Sequence, residues 1–164
     1  MKRKSFFILV TVIIGVFILL ILNNPVIYGE LIKNKMKNQI IKALNLHDYE
    51  MICELFSDQA MRDSGGVEEG LAYLDVTCIG KCEIDVDGGG HNAVSVSKGE
   101  KTVIVENYYW ITIDSEEYML YFMYKRSSIK SDEGLYSLGV VKSELRKESN
   151  YNSGRAGIYH PGWD

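Results

Sequence analysis

The chain predicts an α+β domain in which three N-terminal helices pack on an antiparallel sheet, behind one apolar segment at the extreme N-terminus. Three observations predict it. Apolar residues recur every fourth position from Glu30 to Leu44, the period becomes two after Lys101, and Phe6 to Leu22 runs without a charge.

The first segment begins Met1-Lys2-Arg3-Lys4-Ser5, and its uncharged run covers 17 residues. At 1.5 Å per residue this is roughly 26 Å of helix, close to a ~30 Å hydrocarbon core. The run is longer than the centre of a secretory signal, and Ile27 and Gly29 make a poor cleavage site. Residues 1–29 are therefore expected to form a cytoplasmic tip, an uncleaved signal-anchor and a linker. Their partner would be the lipid bilayer through residues 6–22. The basic start places residues 30–164 outside a cell membrane crossed once.

Helix one carries the stripe Ile32, Met36, Ile40 and Leu44. Asp48 is placed to cap a second helix holding Met51, Ile52, Leu55 and Phe56. Ser57-Asp58 and Asp63 to Gly66 read as punctuation before a third pattern, Val67, Leu71 and Leu74. A short strand is expected at Cys82 to Val86, and the glycine-rich stretch after it reads as a turn. Lys101 to Ile113 and Glu117 to Lys125 form a hairpin closed at Asp114-Ser115-Glu116, and Leu135 to Lys142 is the next strand. Arg146 to Asp164 reads as a tail laid over the domain.

Alternation sorts the hairpin into faces. Val103, Val105, Tyr109, Ile111 and Ile113 point toward the helices, with Asn107 as the one polar interruption. The opposite face carries Glu106, Tyr108 and Trp110, and the return strand adds Tyr121. That mixture suits a cavity wall, so Tyr108, Trp110 and Tyr121 are the expected ligand-binding residues.

All 22 acidic residues lie at or after Glu30, whereas three of the 18 Lys and Arg stand at positions 2–4. Net acidity without a basic stripe excludes nucleic acid as a partner. Cysteine occurs only as Cys53, Cys78 and Cys82. Any bridge that forms is expected to join Cys78 to Cys82, with all three reduced as the alternative.

Asp85-Val86-Asp87-Gly88-Gly89-Gly90-His91 fails as a calcium loop because its twelfth position is Val96, where a bidentate Glu is required. No nucleophile elbow, phosphate loop, dinucleotide fingerprint or His-Glu-x-x-His helix occurs. No cofactor or metal is expected.

The segments 117–124 and 133–142, with the Gly-Leu-Tyr-Ser-Leu run beginning at Gly134, and Ala156-Gly157-Ile158-Tyr159-His160-Pro161 carry a resemblance. They resemble uncharacterised secreted, often lipid-anchored proteins of Gram-positive bacteria that look like members of the nuclear transport factor 2-like superfamily. The resemblance covers roughly Leu31 to Pro161 and implies a cone, three N-terminal helices wrapped by a strongly curved antiparallel sheet. It also implies a pocket at the open end, and the chain departs from it in lacking a lipidation cysteine.

Function is expected to be non-catalytic binding of a small ligand, a wall component or another protein, with a second copy of the chain as a further partner. The alternative is a small acid/base enzyme of isomerase or dehydratase type. Its general base would be Glu106 or Asp75, with Tyr108 or Tyr121 donating a proton.

Overall fold

The computed structural model describes residues 7–16, 24–65, 67–97, 100–127, 132–145 and 154–163. Five helices and five strands lie among them. Helix α1 covers residues 7–16, α2 Pro25–Leu46, α3 Tyr49–Leu55, α4 Asp58–Asp63 and α5 Glu68–Thr77. The strands are β1 Cys82–Ser97, β2 Glu100–Ile113, β3 Glu116–Arg126, β4 Gly134–Lys142 and β5 Gly157–Ile158.

Local chemistry fixes the helix ends. The Asn24 side chain accepts from the Val26 amide at 2.9 Å, with Pro25 just inside the helix, where its missing N–H costs nothing. His47 ends α2 in the left-handed region at φ 50°. Asp48 caps α3 through the Met51 amide at 2.9 Å, as its spacing predicts. Ser57 caps α4 through the Ala60 amide at 3.1 Å, so the expected punctuation at Ser57-Asp58 is the start of a helix. The stripe of α2 is buried at Ile32, Met36, Ile40 and Leu44. Each fully buried Leu or Ile contributes roughly 1.5–3 kcal/mol.

The sheet runs in the order β1-β2-β3-β4-β5. Its first four strands are antiparallel, and β5 joins β4 in parallel, so the sheet is mixed. The hairpin register pairs Ile113 with Glu116 and Val103 with Arg126, without interruption between them. Val103, Val105, Tyr109, Ile111 and Ile113 are buried against the helices, as alternation requires. On the other face Met119, Tyr121 and Met123 form a second apolar cluster with Ile104, Tyr108, Trp110 and Tyr136 packed around them.

A polar lock ties the start of α2 to the sheet. Tyr124 and Tyr28 both donate to Oε1 of Glu133, at 3.0 and 3.3 Å, and the Arg126 guanidinium lies 4.1 Å from the centre of the Tyr28 ring. Burial, then the neighbouring Tyr28 and Glu133, push the Tyr124 hydroxyl well above its ordinary pKa.

Four sequence-based expectations need correction. Among the described residues no helix is long and apolar enough to cross a membrane. Of the expected 6–22 span, residues 7–16 are helical, and the rest lies outside the described residues. The signal-anchor, the bilayer as a partner, the single-pass cell-membrane localisation and the anchored form of the function are all overturned on that ground.

The cone is the second correction. The sheet is open, with β1 and β5 at its edges, and it does not curl round the helices. Its bulges lie in β1 and at Met123–Tyr124 of β3, and the long β2–β3 ladder runs without a register break. Third, four helices, α2 to α5, follow the apolar segment where three are expected, the additional one being α4. Fourth, the glycine-rich stretch is strand: β1 passes through it and continues to Ser97.

Candidate functional site

The third and fourth corrections direct attention to the middle of β1. Register shifts fall between Ile84 and Val86 and between Asp87 and Gly89. The strand therefore bulges twice beside β2, and bulges re-aim side chains next to sites. The shifts set Asp87 opposite Tyr109 and Gly90 opposite Asn107. Glycine is required here for space. A β-carbon on Gly88 would collide with the Tyr108 ring, and one on Gly90 with the Glu106 carbonyl and the Asn107 side chain.

The Asp87 carboxylate gathers donors from three elements. Lys33 of α2 pairs with it at 2.6 Å, the Gly89 amide donates at 3.0 Å, and the Asn107 amide of β2 donates at 3.3 Å. Burial works against its charge, but the Lys33 ammonium and the two amide donors outweigh burial and hold the carboxyl below its ordinary pKa. The Lys33 ammonium is likewise opposed by burial, yet Asp87 and then Glu30, 3.7 Å away, raise its pKa. The pair is charged at neutral pH.

Behind it the sheet is dry. Asn107 is 3% exposed and Tyr109 1% exposed, and the Tyr109 hydroxyl has no hydrogen-bond partner among the described residues. Burial, then the negative Asp87 and Glu30, push the Tyr109 pKa up, while the nearby Asn107 amide acts the other way. Lys37 Nζ lies 5.6 Å from the centre of the same ring. In front of Asn107 opens a cavity of about 310 Å³, walled by Glu30, Lys33 and Asp87 and by the strip 88–92. Its mouth carries His91, whose Nδ1 is 3.3 Å from Glu106 Oε2.

The sequence-predicted residues fall at three places. Glu106 is on the outer sheet face and does not line this cavity; its side chain is 22% exposed and pairs with His91. Tyr108 backs the glycine strip, while Trp110 and Tyr121 lie in the apolar cluster of the outer sheet face. Asp75 is exposed on α5, where it accepts from the Tyr49 hydroxyl at 3.0 Å, and that hydroxyl lies 3.3 Å from His47 Nδ1. Burial and the Asp75 carboxylate push the Tyr49 pKa up to about 12. The two proposed general bases thus have separate partners. Cys78 and Cys82 are free thiols, both buried, and their mutual hydrogen bond raises the pKa of Cys78 and lowers that of Cys82. Among the described residues no group of three His, Cys, Asp or Glu is placed to hold a metal ion.

Sequence reasoning missed Lys33 and Glu30, which it counted only as charge. The legible signal was Asn107, a polar residue on an otherwise apolar sheet face. A buried amide needs partners, and here they come from the glycine strip and its Asp87.

Fold and site together define an α+β domain with an open mixed sheet and a polar cavity at the junction of its first strand and longest helix. The chain belongs to the family described as "Domain of unknown function (DUF5104)", which matches residues 39–143. No curated protein and no solved structure matches it. The family corrects the expected resemblance, since neither a nuclear transport factor 2-like cone nor a Gram-positive lipoprotein context is supported. The matched span includes Asp87, His91, Glu106 and Asn107 and leaves out Glu30 and Lys33.

Proposed function

We propose that the domain binds a small polar ligand in the cavity between α2 and the glycine strip of β1. The observation that carries this reading is the inner wall. Asn107, 3% exposed, lines the cavity, and its amide is held by the Asp87 carboxylate. Dry polar groups of this kind give a site orientation and specificity, because a ligand that leaves them unmatched forfeits their desolvation cost. Lys33 and Asp87 supply a donor and an acceptor at the rim. Glu106 and Asp75 already have protein partners, an imidazole and a phenol, which favours binding over acid/base chemistry.

The test is amide-shift mapping of ¹⁵N-labelled protein against free amino acids, simple sugars and nucleosides. At least one class should move the Gly88, Gly89, Gly90 and Asn107 side-chain signals saturably. Lys33→Met and Asn107→Leu should each weaken that binding at least tenfold, about 1.4 kcal/mol. If all three classes leave the strip unmoved, or saturating shifts cluster elsewhere, the reading is wrong.

A further inference from the structure

At the opposite end of the β1–β2 ladder a second cavity holds a different chemistry. It has a volume of about 250 Å³, and Gln59, Ser95, Thr102, Ile104 and Lys125 contribute to its lining. Three strands and α4 build it: Thr102 is opposite Ser95, and Ile104 opposite Lys125. These positions share the outer sheet face, so hydroxyls, an amide and an ammonium converge over one isoleucine.

Lys125 is half-buried and makes no ion pair with a carboxylate among the described residues. Its Nζ lies 2.9 Å from the centre of the Tyr136 ring, so the cation rests on an aromatic face. Burial lowers its pKa, and the more distant Asp63 and Asp132 only partly offset that. Asp132 also lines the cavity. A part-desolvated ammonium whose side chain shares a cavity wall with hydroxyl and amide groups gains most from a compact oxyanion, which supplies charge and acceptors together.

We propose that the Lys125 cavity is a binding site for a small ligand bearing a carboxylate or phosphate group. The anionic group would meet the Lys125 ammonium and the hydroxyls of Ser95 and Thr102, and Ile104 would contact any short apolar part. This site is separate from the α2–β1 cavity, and neither reading depends on the other.

The experiment uses the full chain with its lysines ¹³C-dimethylated, titrated separately with acetate and with inorganic phosphate at constant ionic strength. The signal lost in Lys125→Met identifies Lys125. It should shift saturably with at least one anion while the other lysine signals stay still. Saturation by acetate alone marks a carboxylate site, and by phosphate alone a phosphate site. The double variant Ser95→Ala/Thr102→Val, which keeps the ammonium, should weaken the saturating anion at least fivefold. A Lys125 signal that moves linearly, or in step with the other lysines, with both anions overturns the proposal. So does an unchanged affinity in the double variant.

Discussion

A buried hydroxyl without a hydrogen-bond partner is a cost that the rest of the fold must offset, and Tyr109, a residue 1% exposed, has none for its hydroxyl among the described residues. Leaving a buried donor unmade costs on the order of 1–3 kcal/mol. Tyr109→Phe keeps the ring that stacks with Phe122 at 6.3 Å and removes only the oxygen. Its stability in urea should therefore equal or exceed that of the parent, by up to about 2 kcal/mol. A loss of more than about 1 kcal/mol would show that the hydroxyl is satisfied in the folded protein. At this scale the sequence was partly legible. Asn107 stands out because it breaks an apolar alternation, whereas Tyr109 looks like any core tyrosine. The charges that act on its hydroxyl, Asp87 and Glu30, are far off in the chain.

Elements were legible where a buried face imposes a period. The stripe of α2 and the two faces of β2 and β3 follow their spacing because each packs one side against a dry core. Beyond the expected Cys82 to Val86, β1 was hidden for the same reason in reverse. Most of its residues from Glu83 to Ser95 are exposed, so no face demands alternation, and three glycines in a row read as a turn. α4 was hidden by brevity, since its six residues give a helix period little room to show. The glycines of β1 are nonetheless specific. Gly88→Ala places a methyl group in the Tyr108 ring and should destabilise the domain by about 1–3 kcal/mol, the range for overpacking. Urea unfolding checks this, and a neutral Gly88→Ala would mean that Tyr108 can swing away at no cost.

Across the whole molecule, α2 is fastened to the sheet by Lys33 on Asp87, by Tyr28 on Glu133 and by Asn45 on the Cys82 backbone. The first makes stability depend on pH in a definable window. The carboxyl of Asp87 has a folded pKa below its unfolded value, so its contribution is present above the unfolded pKa of about 3.9 and is lost as pH falls through the folded one. The urea midpoint of the parent should thus exceed that of Asp87→Asn by a constant margin from about pH 7 to about pH 5. The margin should close below about pH 4. It will be modest, because the carboxylate is 47% exposed and solvent screens it. A margin that persists unchanged to pH 2 would show that Asp87 acts through packing rather than charge.

The two breaks in the register of β1 bear on how the molecule avoids its own kind. A long outermost strand offers free amides and carbonyls to any passing chain, and a straight one is a template for fibrils. In β1 the bulges at 84–86 and 87–89 leave no regular run across that stretch, and the Lys33–Asp87 pair sets two charges at the same point. At the beginning of the strand the Asn45 side chain accepts from the Cys82 amide at 2.7 Å and donates to its carbonyl at 3.0 Å, standing in for a neighbouring strand. The irregularity that opens a cavity is thereby also a guard against aggregation, and straightening β1 to improve its pairing would remove both.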